Sequence, residues 1–444
     1  MKRFLGLGFV LFLYVICTGC GDTFRPIIIP NPPTFPNPAA AHTVLSINDN
    51  GTIVPGTAMV IDVSGDSDVS VANVGLAPVH AVQQSANQVL VVNHSVTGAL
   101  QDSITKLDFS STVIGATTTI SLPANSAPNF VATTEGSQAY VLLPNLTEVE
   151  VVNTNSNSLV ATIPVGNNPV AMAETPDTKK LYVANQDDST ISGFNTGDRS
   201  SRTVSGSFHA PLWVLARSDS QRLYVLNGNG VVSTVDTHTT TGPDTVIDAS
   251  VNAPGAAYML YDGNTNRLYI PGGSQLTMLD VSQSVPAVLT GAPIAIPTVQ
   301  PTSRGAGDPC SSTSTAALNT VAVAALPDGS RAYVGAYYED AAGNICPQVT
   351  VIDVASNTIK SYFAVPGFPA YDAFCSTTRF RFMMAAGGDS SRAYLASCDG
   401  GMVNVIDTSS DTYILNLPAP ISSRTVQGSP QNPPQNPVFL IAGP

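Results

Sequence analysis

From residue 42 onward the chain is a succession of short stretches in which apolar and polar residues alternate, broken by Gly, Pro, Asn or Asp. Alternation with period two sends successive side chains to opposite faces of a strand, and those four residue types punctuate it with turns. The pattern predicts many short strands. Two kinds of strand recur. One is an apolar–Tyr–apolar strand behind a turn: Ala139-Tyr140-Val141, Leu181-Tyr182-Val183, Leu223-Tyr224-Val225, Leu268-Tyr269-Ile270, Ala332-Tyr333-Val334 and Ala393-Tyr394-Leu395, with Val89-Leu90-Val91 as a variant lacking Tyr. The other ends in an apolar residue and then Asp or Asn, at Asp62, Asp108, Asn153, Asn195, Asp236, Asp280, Asp353 and Asp407. These ends lie mostly 41–46 residues apart, with longer gaps before Asp353 and Asp407.

One period is clearest as Pro169-Val170-Ala171-Met172-Ala173, a turn at Thr175-Pro176-Asp177, Leu181 to Asn185, Thr190 to Asn195 and a further strand near Thr203. Four short strands in about 42 residues is the signature of a β-propeller blade. The repeated Asp or Asn has a structural use: its side chain bonds the backbone two residues on and starts the hairpin. That use stands ahead of any metal or catalytic role for these positions.

The stretch from Asn153 through Ser156, Leu159, Val160, Ile163 and Val165 to Pro169, followed by Leu181-Tyr182-Val183-Ala184-Asn185, resembles the YVTN-type β-propeller repeat. The resemblance spans roughly residues 60–415. It implies an extracytoplasmic propeller, commonly seven-bladed, in a family that includes surface-layer and periplasmic proteins and a branch that binds single-stranded DNA. The expected fold is therefore all-β, a single propeller of four-stranded blades over residues 42–444. Here the Tyr-type strand occurs seven times and the Asx strand eight. The surplus is N-terminal, where Thr43 to Ile47 precedes Met59 to Asp62, and the C-terminus offers one orphan strand, Pro437 to Ala442. If that orphan becomes the inner strand of the N-terminal blade, the ring closes without an exposed long edge. The count then gives eight blades; seven, with the N-terminal hairpin as a flap, is the alternative.

The start of the chain is of another kind. Met1, Lys2 and Arg3 precede an apolar run from Phe4 to Ile16 and then Cys17-Thr18-Gly19-Cys20-Gly21-Asp22. Thirteen apolar residues fall short of the about 20 that span a bilayer and suit a signal peptide. Small residues before a cysteine resemble the lipobox of bacterial lipoproteins, in which the cysteine becomes the lipidated first residue; Cys17 departs from the Leu usual at its position. Residues 1–19 are expected to be removed and Cys20 to carry the lipid. Residues 20–41 form a spacer, whose six prolines between Phe24 and Pro38 favour an extended polyproline conformation. The expected address is the cell envelope, anchored by lipid alone; the non-acidic Gly21 resembles lipoproteins sorted to an outer membrane.

Composition narrows the function. Only 11% of residues are charged and the net charge is −13, so the clustered Lys and Arg that nucleic-acid binding draws on are missing. Nucleic acid is not an expected partner. No CxxCH, HExxH, P-loop or GxSxG in the right context occurs, His42, His80, His94, His209 and His238 show no paired-ligand spacing, and a single tryptophan argues against a quinone-cofactor propeller. No cofactor and no metal are expected.

In a propeller the loop leading into the innermost strand and the turn between the second and third strands share one face. Cys310 and Cys375 precede innermost strands, and Cys346 and Cys398 follow second strands. In an exported protein they favour two disulfides, with three pairings open; Cys310–Cys346 and Cys375–Cys398 is the simplest. Zinc would want CxxC spacing, which these four cysteines lack. The same face carries the long insertion from Ala292 to Thr315, with Arg304 and Asp308, and the group Tyr337-Tyr338-Glu339-Asp340. Two residues beyond Pro78, Pro128, Pro211 and Pro369 sit His80, Phe130, Trp213 and Tyr371, a partial ring at the channel mouth that could stack a ligand or simply pack. The expected function is a non-enzymatic binding or scaffold propeller, presenting this face to a protein or a cell-surface polymer. A hydrolase- or lactonase-like propeller enzyme, and single-stranded nucleic-acid binding, are the competing readings.

Overall fold

The computed structural model describes residues 43–85, 87–95, 102–110, 112–133, 136–310, 317–370, 373–422 and 433–442. Cys20, the expected signal and the expected proline spacer lie outside them. Eight sheets, antiparallel apart from a short parallel pairing of Val204–Ser205 with Asp244–Thr245, form eight blades around one axis. In chain order, blades 1 to 7 span residues 78–121, 130–164, 169–202, 211–252, 260–288, 319–364 and 382–418, each running from its innermost strand outward. Blade 8 joins the two ends of the chain. Its innermost strand is Asn436–Ala442, followed outward by Thr43–Asp49, Pro55–Asp62 and Ser67–Leu76. Leu45 pairs with Ile441 on one side and with Val60 on the other, and the innermost strand of blade 8 packs on those of blades 1 and 7. The count of eight therefore holds, and the orphan C-terminal strand closes the ring.

The core lies between blades. Tyr182, Tyr224, Tyr269, Tyr333 and Tyr394 are fully buried, so the Tyr-type strand is each blade's second strand, packed on both faces. Where the hydroxyl meets a carboxylate the bond is short, as from Tyr182 to Asp244 (2.8 Å) and Tyr333 to Asp411 (2.6 Å). The repeated Asx ends start hairpins as expected. Their side chains accept backbone N–H groups at 2.8–3.0 Å from Ser64, Asn155, His238, Ser282 and Ser409.

The two long gaps in the repeat are filled by additions rather than by extra blades. Before Asp353, Ile294–Ala295 adds to blade 5 beside Gln275–Leu276. Before Asp407, Phe368–Pro369 pairs back onto Asn344–Ile345 of blade 6, and the helical turn Ala373–Thr377 follows before blade 7 begins.

Candidate functional site: the channel mouth

An asparagine at the end of a second strand builds the face. Asn93, Asn185 and Asn227 are buried and accept from the backbone N–H of Gly75, Gly166 and His209 at 2.9–3.1 Å. Each also donates to a third-strand hydroxyl, of Thr105, Ser192 or Ser233, at 2.9–3.1 Å. These residues tie the loop leading into the innermost strand to the second-to-third turn, so both rest on one rim.

Both disulfides sit on that rim, Cys310 bonded to Cys346 and Cys375 to Cys398. Asp340 lies close to the first pair, but those two sulfurs bond each other, which leaves no thiolate for a metal. Several rim residues singled out from the sequence turn inward. Arg304 is 8% exposed and donates to the carbonyls of Val365 and Pro347 at 3.1 Å, with its guanidinium over the ring of buried Tyr338. Asp340 is buried and accepts from the N–H groups of Ala342 and Asn344. Arg304 and Tyr338 thereby hold the insertion down and Asp340 closes its own turn, instead of facing a partner. Glu339 remains exposed, and half-buried Tyr337 lies between Phe382 and Arg381.

The aromatic positions converge in the channel, and more tightly than a ring around its mouth. His80 stacks on Phe130 with centroids 4.0 Å apart and meets Phe439 at 4.5 Å; Phe130 meets Trp213 edge-on at 5.7 Å. Tyr258 and Phe380 complete the cluster, 5.1 and 5.9 Å from Trp213. The contact between Trp213 of blade 4 and Phe380, which leads into blade 7, crosses the axis. All six rings are buried, so they plug the channel. Tyr371 lies outside the described residues. Tyr258 and Phe380 escaped the alignment on proline because additional residues separate Pro254 and Pro369 from their strands. Phe439 obeys it, two residues beyond Pro437, once the C-terminal strand is known to be innermost.

Above the plug the mouth opens as a cup of about 510 Å³. Its walls are largely apolar, from Val79, Val170, Leu212, Ala257 and Val321, with Asn129, Gln186, Thr320 and Thr378 as polar members. At the other end of the innermost strands a cavity of only about 20 Å³ lies among Leu260, Leu326, Ala386 and Ala442. The channel is a blind cup, not a pore.

Arg379 reaches into this cup from the loop ahead of blade 7. Its Nη2 donates to the carbonyl of Leu212 at 3.0 Å and its Nη1 to that of Val170, on blades 4 and 3 across the ring. The guanidinium lies 4.6 Å above the Trp213 ring and 5.7 Å from those of Phe130 and Phe380, favourable cation–π distances. No carboxylate pairs with it among the described residues. It keeps surface open to the cup yet is encircled by protein. That burial pulls it down to about 10, so it stays protonated at any physiological pH. No local sequence signal marks it; Arg379 and Arg381 both stand between Cys375 and the strand that begins at Phe382, and nothing in that stretch tells which one enters the channel. Burial, and secondarily the charge of Arg379, holds His80 well below the usual histidine range. His80 Nδ1 accepts from the N–H of Val131, and its Nε2 has no partner, which marks a neutral packing residue.

No protein-family model matches the chain, and no curated protein does. Solved structures do resemble it. AztD from Citrobacter koseri superposes with TM-score 0.57 at 11% identity, over 87% of this chain and 96% of that one. Apo AztD from the same organism gives 0.56 at 12%, over 86% and 96%. A protein of unknown function from Desulfotomaculum acetoxidans DSM 771 gives 0.51 at 12%, over 72% and 95%. At such identities the likeness is one of fold alone: this chain is an eight-bladed β-propeller similar in architecture to AztD.

Proposed function

We propose that this protein is an exported, lipid-anchored and non-enzymatic binding propeller, which offers the mouth of its channel to a protein or cell-surface polymer. The observation that carries the reading is the blind cup with Arg379 across its floor. A cavity of this size, mostly apolar with a few fixed polar groups, is the usual form of a binding site. The lining holds no carboxylate and no histidine among the described residues, which leaves general acid–base chemistry without an obvious group. The signal-like N-terminus, the lipobox-like Cys20 and the proline spacer support a disc held off a membrane.

The test is photo-crosslinking in the native membrane. A photoreactive residue replaces Gln186 on the cup rim or, as control, Thr239 in a third-to-fourth-strand turn on the opposite face. Capture of one discrete partner from position 186 but not from 239, on a chain whose intact mass starts at lipidated Cys20 and is four hydrogens below the reduced form, is the expected result. Equal capture from both faces, or from neither, overturns the presentation of this face. An unlipidated mature chain overturns the anchor.

A further inference from the structure

We infer that the cup is a carboxylate site: an acid group pairs with the Arg379 guanidinium, and its apolar body rests against the walls around the plug. The inference deepens the binding reading above by naming the chemistry that enters the mouth.

Two observations carry it. Arg379 is exposed toward the cup and pairs with no carboxylate among the described residues, so its charge is open to an acid that enters. Only one hydrogen from each of its Nη atoms is committed, to the carbonyls of Val170 and Leu212. The rest of the planar fork remains available in the cup, and a carboxylate accepts two parallel N–H bonds from such a fork. Secondly, the guanidinium is fixed rather than free. Two carbonyls hold it from one side of the ring and the Cys375–Cys398 bond anchors its loop on the other, so little ordering is left to oppose binding.

The protein contains its own probe. Trp213 is the only tryptophan of the chain and lies 4.6 Å below Arg379, so its emission reports the cup alone. Full-length protein in detergent is titrated with benzoate and with benzamide, which share a body and differ in the acid. Benzoate is expected to shift the emission saturably, with benzamide at least tenfold weaker. Arg379→Met should weaken benzoate at least tenfold, while Arg379→Lys, which keeps the charge and loses the fork, should fall between. Equal affinity for acid and amide, undiminished benzoate binding by Arg379→Met, or no saturable shift overturns the inference. Each leaves the photo-crosslinking result to decide the broader reading separately. Galacturonate and its trimer then separate the two sources of a carboxylate. Tighter binding of the trimer assigns it to a polymer end, and equal binding per molecule assigns it to a free acid.

Discussion

At the scale of single residues, His80 shows how burial converts a titratable group into packing. Its ring is 1% exposed between Phe130 and Phe439, facing the Arg379 cation from across the plug. Desolvation and that positive charge both disfavour the imidazolium, so its folded-state affinity for a proton is far below the value near 6.5 of an unfolded chain. Between the two values the unfolded state binds the proton and the folded state does not. Stability is then fully present above pH of about 6.5 and declines as pH falls below it, with a limiting slope of about 1.4 kcal/mol per pH unit. His80→Phe, which keeps an aromatic in the stack, should remove that component. Thermal unfolding midpoints at pH 7.5 and 5.0 should separate more for the wild type than for the variant; equal separations would contradict a neutral His80.

At the scale of elements, the two disulfides do different work. The Cys310–Cys346 bond fastens the insertion beneath which Arg304 and Tyr338 pack. The Cys375–Cys398 bond closes a 23-residue separation around the loop that delivers Arg379 and Phe380, and Asn436 Nδ2 bridges it to blade 8, 2.9 Å from Cys375 Sγ and 2.9 Å from the Cys398 carbonyl. Each bond should contribute about 3 kcal/mol to stability by restricting the unfolded chain. Their effects on the cup should diverge. The double variant Cys375→Ser/Cys398→Ser should lose benzoate affinity as well as stability, and Cys310→Ser/Cys346→Ser should lose stability alone. Trp213 titrations and thermal melts of the two variants check this directly.

At the scale of the whole molecule, closure is what makes one cooperative body of eight blades. The strand Asn436–Ala442 covers the inner edge of Thr43–Asp49 and brings Phe439 into the plug. A chain ending at residue 433 would leave that edge unpaired and the plug incomplete, and unpaired strand edges invite association. Such a truncation should replace a single calorimetric transition with broad, lower-temperature unfolding and should elute as aggregates in size exclusion. A monomeric truncated chain with one sharp transition would show that the ring does not depend on this strand.

The sequence by itself determined the class of fold and narrowed the count to eight blades or seven, which the closing strand then decided. A period of 41–46 residues repeats because each blade must bury both faces against similar neighbours, so the same apolar, Tyr and Asx positions return. It also determined the face that carries the four cysteines, since strand direction alternates along each blade and puts particular turns together; which of the three pairings forms was decided by the structure. His80, Phe130 and Trp213 were legible for the same reason: strands led by proline place their third residue at one height. What lies in the centre was decided only by tertiary structure. Phe439 needed the closure, Tyr258 and Phe380 needed the path of irregular segments, and Arg379 needed blades 3 and 4 brought opposite blade 7. Arg304, Tyr338 and Asp340 read as surface groups of long loops, yet the fold turns them inward: Arg304 donates to the carbonyls of Pro347 and Val365 and Asp340 accepts the N–H groups of its own turn, because backbone groups removed from water require partners. Repetition is a local property written in every blade. The cup is a single, non-repeating place where eight different loops meet, and a site made by contacts between distant residues leaves no period to read.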